Sequence, residues 1–185
     1  HGAQFGSFLC RQWTGWTTES HESLEFMNHW SLGHEPTALV LQSATGASTE
    51  TLDAARHATR LGVLTVALTN TEGSALAALC DESVCFPTGQ RCGPDVSVLT
   101  TRLMMLYLLA LEIGMATGTL DAHDAHEFGE AIGHLPDLTA QFLQEEDVNV
   151  SQIANALKDQ RALLLVGGGP NWFSAREGAL KVEEE

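Results

Sequence analysis

Leu39-Val40-Leu41-Gln42-Ser43-Ala44-Thr45-Gly46-Ala47-Ser48-Thr49-Glu50-Thr51 is a short apolar run that breaks into hydroxyl residues and one glycine before a helical pattern begins. It reads as strand, turn and helix N-terminus. The first backbone N–H groups of such a helix lack intrahelical partners and point into the turn. Ser43, Thr45 and Ser48 add hydroxyls around them, so the stretch suits a phosphate. An N-cap cluster of an ordinary α/β protein accounts for the same residues. The common nucleotide motifs do not fit, because no Lys follows the glycine and no further glycines stand at dinucleotide spacing.

Working outward, the strand runs from Ala38 to Gln42 after Pro36, and the helix from about Ser48 to Leu61, closed by Gly62. Val63 to Leu68 is apolar and β-branched, as a strand buried on both faces should be, and Thr69-Asn70 ends it. Ser74 to Leu79 gives a short helix and Ser83 to Phe86 a third strand ending at Pro87. Alternation of this kind predicts an α/β fold, a three-layer αβα sandwich around a parallel sheet with right-handed crossovers. Ligands of such sheets bind beyond the carboxyl ends of the strands, where the hydroxyl turn sits.

Upstream, Phe5, Phe8, Leu9, Trp13 and Trp16 are spaced for a helix over Phe5 to Thr18, and a second short helix carries Leu24, Phe26 and Met27. Downstream, Gly93-Pro94-Asp95 opens a long helix to Glu112 or Ile113, with Gly114 past its end. It is apolar on nearly all sides, which implies cover by a second domain or subunit. Its longest apolar run, Leu103 to Leu111, is about half of a bilayer span, so a core or interface helix is expected and no membrane association.

From Thr119 to Lys158 the chain turns polar and acidic, with helices expected over Asp121 to His134, Leu135 to Gln144 and Val148 to Lys158. His123 and His126 lie there among carboxylates, but a solvated helical face explains them and no metal site is expected. Ala162 to Val166 then reads as a strand, Gly167-Gly168-Gly169-Pro170 as a turn and Asn171 onward as a helix. Glu177, Lys181 and Glu184 share one face of that helix. An exposed Glu-to-Lys pair is the plain reading. Gly178 argues for close packing, since glycine inside a helix costs about 1 kcal/mol relative to alanine.

The chain has 185 residues, 44% of them hydrophobic and 18% charged, enough for a domain with a real core. Its 24 acidic and 9 basic residues give a formal charge of -15, which excludes a nucleic-acid partner but not one small phosphorylated ligand. Only Lys158 and Lys181 are lysines. Cys10, Cys80, Cys85 and Cys92 show no paired spacing and follow no signal peptide, which fits reduced thiols in a cytoplasmic protein.

With these residues in view, the chain resembles the sugar isomerase (SIS) domain family, and within it the two-domain branch that includes the isomerase part of glucosamine-6-phosphate synthase. The family pattern S-x-S-G-x-T is matched by Ser43-Ala44-Thr45-Gly46-Ala47-Ser48. The pattern E-G-A-L-K-L-K-E is matched by Glu177-Gly178-Ala179-Leu180-Lys181-Val182-Glu183-Glu184. A looser match sets Asp95 to Arg102 on E-x-G-V-A-S-T-K, and His1-Gly2-Ala3-Gln4 keeps only the glycine of C-G-T-S.

The resemblance implies a flavodoxin-like topology and a site without cofactor or metal. Ser43, Ala44, Thr45 and Ser48 would bind the sugar phosphate, with weaker substrate contacts from Gln4, Val98 and Thr100. Glu184 would be the base that moves a proton between C1 and C2, beside Lys181 and Glu177. The implied enzyme is an isomerase, deaminase or deglycase acting on an amino-sugar or amine-linked sugar 6-phosphate of the fructose-6-phosphate or glucosamine-6-phosphate type, in a homodimer. A sugar-phosphate sensing module without chemistry, or an inactive remnant, is the alternative. Residues 1–118 would form a first SIS domain lacking its first strand, 119–160 a helical linker and 161–185 the start of a second SIS domain. The chain is thus expected to be a fragment, with the family's catalytic histidine and C-terminal lysine lying beyond Glu185.

Overall fold

A computed structural model describes residues 1–29, 37–88 and 96–183. Three strands, β1 (Ala38–Ser43), β2 (Leu64–Thr69) and β3 (Glu82–Cys85), form a parallel sheet in the order β1-β2-β3. Between them run α3 (Thr49–Arg60) and α4 (Ala75–Leu79). The register aligns Ser43 with Thr69 and Thr69 with Cys85, so the three strands end level with one another.

Side chains alternate across the sheet as the pleat requires. Leu39, Leu41 and Ala67 face α3, α4 and the short helix α2 (Ser23–His29), packing with Phe26, Ala54, Ala55, Ala58 and Leu76. Val40, Leu68 and Val84 face the other way, onto Phe86 and onto Met105 and Leu106 of α5 (Val96–Thr117). Leu68 is 1% exposed, and burying such a side chain is worth about 1.5–3 kcal/mol. The sheet thus has helices on both faces, the expected α/β sandwich.

The helix α1 (Gly2–Thr14) lies along α5, and glycine is what permits the approach: a Cβ on Gly6 would stand 2.9 Å from Leu106 Cδ2. At the far end Trp13 stacks on Phe128 at 5.0 Å and meets Tyr107 edge-on at 4.8 Å. Phe128 belongs to α6 (Ala122–Glu145), followed by α7 (Asp147–Leu157) and α8 (Asn171–Glu183). At the other corner of β2 the Asp81 carboxylate accepts from Thr65 N at 2.8 Å and Thr65 Oγ1 at 2.7 Å, bonds that hold it below the usual carboxylate range.

Several expectations are corrected. The first helix ends at Thr14, not Thr18, because Gly15 takes a left-handed conformation at φ 68°. Gly114 lies inside α5, which continues to Thr117 and stops before Gly118 at φ 72°. Gly114 serves packing: a Cβ there would meet the Trp13 carbonyl oxygen at 3.0 Å. The two helices expected over 121–144 are one, with Pro136 carried inside α6. Ala162 to Val166 joins no strand ladder among the described residues, and Leu164 and Val166 are 89% and 93% exposed. A strand needs a hydrogen-bonded neighbour, and composition alone does not supply one. The expected start of α5 at Gly93-Pro94-Asp95 falls outside the described residues.

By length and composition α5 could cross a membrane. In the fold it packs on the sheet through Met105 and Leu106 and on α6 through Leu111, while most of its other side chains, Leu108 among them, stay partly exposed.

Candidate functional site

The hydroxyl turn closes on itself at the carboxyl end of β1. Ser43, 6% exposed, places its Oγ 2.9 Å from Ser48 Oγ and accepts from Gly46 N at 3.1 Å. Thr45 Oγ1 accepts from Ala47 N at 3.2 Å, and its side chain is exposed. Ser48 is the N-cap residue of α3, with extended backbone at φ -63° and ψ 119°, yet its side chain makes no capping bond. The capping account of this cluster therefore fails at Ser48: the hydroxyl faces Ser43 and leaves the first N–H groups of α3 unclaimed by it. Exposed hydroxyls beside unclaimed N–H groups at a positive helix end form an anion-binding arrangement.

The turn is braced from β2. The Ala44 carbonyl accepts from Asn70 N at 3.0 Å and from the Thr69 and Thr71 hydroxyls, each at 3.3 Å. Gly46 has φ 62°, and a Cβ there would fall inside Ser74 Oγ and 3.1 Å from Thr69 Oγ1. Ser74 caps α4 by accepting from Ala77 N, while the Gly46 carbonyl accepts from Leu76 N at 3.0 Å. Thr69, Asn70, Thr71 and Ser74 were not among the sequence candidates. Their signal was the polar run that ends an otherwise apolar strand.

A second group gathers between α1, α5 and α8. His1, Gly2, Val98, Leu99, Arg102, Glu177, Leu180 and Lys181 line a cleft of about 470 Å³. Glu177 is its hub: Oε2 lies 3.0 Å from His1 Nδ1 and Oε1 lies 3.7 Å from Lys181 Nζ. All three side chains are largely buried. The α8 helix is held to α1 by Phe173, which meets Phe5 and Phe8, each at 6.0 Å between ring centroids.

The sequence candidates therefore fall in two places. Glu177 and Lys181 share the cleft with Val98, which is 2% exposed. Ser43, Ala44, Thr45 and Ser48 form the turn and do not line that cleft; Gln4 and Thr100 do not line it either. The Gln4 Oε1 atom is buried without a hydrogen-bond partner. Glu184 and Asp95 lie outside the described residues. The link between the two places is Gly2, where a Cβ would stand 3.1 Å from Gln42 Oε1 and 3.4 Å from Arg102 Cδ. Gly2 lines the cleft, and Gln42 immediately precedes Ser43. His1, Gly2 and Arg102 are cleft residues that were not among the candidates.

A family model described as SIS domain matches residues 1–112. The glutamine–fructose-6-phosphate aminotransferase (isomerizing) of Corynebacterium diphtheriae is 28% identical over 96% of this chain and 28% of its own length. The enzyme of the same name from Caldanaerobacter subterraneus subsp. tengcongensis is 26% identical over the whole chain and 30% of its own length. The chain thus spans about three tenths of the curated relatives it matches. Among solved structures, the C-terminal domain of glucosamine-fructose-6-phosphate aminotransferase from Francisella tularensis superposes with a TM-score of 0.93 at 19% identity, covering 99% of this chain and 52% of that one.

Proposed function

The chain belongs to the SIS domain family, and from that premise we propose that it supplies the phosphate anchor and part of the proton-transfer machinery of a sugar-phosphate isomerase or deaminase. The substrate is an amino-sugar or amine-linked sugar 6-phosphate of the fructose-6-phosphate or glucosamine-6-phosphate type. The observation that carries this reading is the Ser48 hydroxyl turned onto Ser43 instead of capping α3, which leaves a helix N-terminus and exposed hydroxyls free for an anion.

In this reading the turn holds the phosphate through the N–H groups of α3 and the hydroxyls of Ser43, Thr45 and Ser48. The sugar extends toward α8, where Glu177 orients the Lys181 ammonium toward substrate oxygens. Glu184, one turn beyond Lys181 in the sequence, takes a proton from one of the two carbons C1 and C2 and returns it to the other through an enediol or enolamine. A carboxylate positioned against an acidic C–H is suited to that shuttle.

The test is Glu184→Gln in the full-length protein with a panel of 6-phosphosugars. Solvent proton exchange at C1 and C2, read by NMR, is lost while phosphate binding persists. Exchange at the parent rate in that variant overturns the assignment.

A further inference from the structure

We infer that His1 is a positioning residue of this site, holding Glu177 so that the carboxylate's other oxygen is directed at Lys181. The inference rests on the proposed function only for what Lys181 then does. The contact itself is a 3.0 Å approach of His1 Nδ1 to Glu177 Oε2, from the start of α1 to the middle of α8. The two residues are 176 positions apart in sequence. An ionised carboxylate only accepts hydrogen bonds, so Nδ1 carries the proton and donates. Nε2 of the neutral ring is left as an acceptor.

Exposed His–Glu pairs contribute little, because water screens them and ordering the side chains costs entropy. This pair is different in its surroundings. The side chains are 21% and 18% exposed, and both line the cleft together with Lys181. Elsewhere in the chain, His123–Glu127 and His29–Glu25 are ordinary pairs at 3.6 Å with all four side chains more than 60% exposed.

A carboxylate with both oxygens engaged cannot rotate about its last torsion without losing one partner. The 3.0 Å bond to His1 is the shorter and fixes Oε2; the 3.7 Å contact to Lys181 is the looser and follows from it. Removing the imidazole therefore loosens the Glu177 carboxylate and, through it, the contact with Lys181. His1 stands where the family pattern C-G-T-S carries cysteine, whose thiol is a weak donor and cannot bear positive charge. The device belongs to this sequence rather than to the pattern.

The charged groups that line the cleft with the His1 ring are Glu177 and Lys181 from α8 and Arg102 from α5.

The experiment uses the full-length protein and two independent readouts. In the first, the tautomer of the His1 ring is read by 15N NMR in the parent and in Glu177→Ala. The proton sits on Nδ1 in the parent and moves toward Nε2 when the acceptor is removed. A tautomer that is the same in both overturns the inference whether or not the protein turns over any sugar. In the second, His1→Ala raises KM for the phosphosugar about tenfold with a smaller change in kcat. His1→Asn, whose amide places a donor where Nδ1 stood, restores KM to within about threefold. The double variant His1→Ala with Glu177→Gln is no worse than Glu177→Gln alone, as expected for two residues acting through one interaction. Additive losses, or failure of His1→Asn to rescue while remaining folded, overturn the assignment. Absence of turnover in the parent counts against the proposed function, and the ring tautomer still decides the role of His1.

Discussion

Gly46 and Ser74 meet so closely that no side chain fits between them: a Cβ on Gly46 would lie inside the Ser74 hydroxyl, which itself caps α4. The turn that carries the candidate phosphate groups is thus wedged against the N-terminus of the next helix. Two constraints coincide at one residue, since Gly46 also has φ 62°.

Gly46→Ala accordingly disturbs both the backbone and the neighbour. The left-handed conformation alone costs about 1–2 kcal/mol for a residue with a Cβ, and displacing Ser74 adds to it. We expect a lower midpoint in urea unfolding and loss of phosphate binding, with the binding loss visible under conditions where the protein remains folded. Unchanged binding in Gly46→Ala would show that the turn is not the anchor.

Thr69→Val tests the brace rather than the anchor. The hydroxyl donates to the Ala44 carbonyl at 3.3 Å and accepts from Thr71 N at 3.2 Å, and Thr69 is wholly buried. Valine keeps the volume and removes both bonds, at a net cost of roughly 1 kcal/mol each. Phosphate affinity falls severalfold, and isothermal titration measures it. Thr71→Val, on an exposed residue with one bond to the same carbonyl, gives the smaller effect.

How much of this was legible in the sequence differs by element. Val40, Leu41 and the stretch Val63 to Leu68 announced strands because a parallel sheet covered on both faces has little polar side to display. Leu64 at the start of β2 is nevertheless 51% exposed, so burial on both faces holds only further along the strand. The Ser43 to Ser48 turn was legible for a similar reason, since hydroxyls and a glycine interrupt an apolar run at a strand's end. Gly114 misled, because a glycine at the end of a helix and a glycine that admits Trp13 are the same letter, and only the tertiary contact tells them apart. Pro136 was equally ambiguous: the helix continues through it. The approach of His1 to Glu177 left no trace, as nothing local to residue 1 or residue 177 encodes the packing of α1 against α8. The domain division at 118 and 160 and the roles of the individual site residues rest on the resemblance and on the experiments proposed.

Asp81 gives a pH dependence whose sign follows from its hydrogen bonds. Its carboxylate, bonded to Thr65 N and Thr65 Oγ1, is held below the ordinary value of 3.8. A depressed folded value means that the unfolded chain takes up the proton first as pH falls. The stabilisation is therefore complete above the ordinary value and disappears as pH drops through the folded one. Asp81→Asn lowers the urea midpoint at pH 7, and the gap to the parent closes in acid. A gap that stays constant into strong acid would mean that the carboxylate charge is not what ties the start of β2 to this corner.

Gly178 separates helix propensity from packing. It lies inside α8 within the Glu177 to Lys181 turn, and a Cβ there would stand 3.3 Å from Leu165 Cδ2. That distance is tight, but the neighbour is the end of a flexible side chain on a segment in no strand ladder, with Leu165 itself 42% exposed. Leu165 can yield by a few tenths of an ångström, whereas alanine in a helix interior gains about 1 kcal/mol over glycine. Gly178→Ala is therefore expected to leave stability unchanged or raise it by up to about 1 kcal/mol, measured by urea unfolding at constant slope. A loss beyond about 1 kcal/mol would place Gly178 against a rigid neighbour, since overpacking of that kind costs about 1–3 kcal/mol. In that case the glycine between Glu177 and Lys181 is there for contact, and the helix is weakened at its functional turn as a consequence.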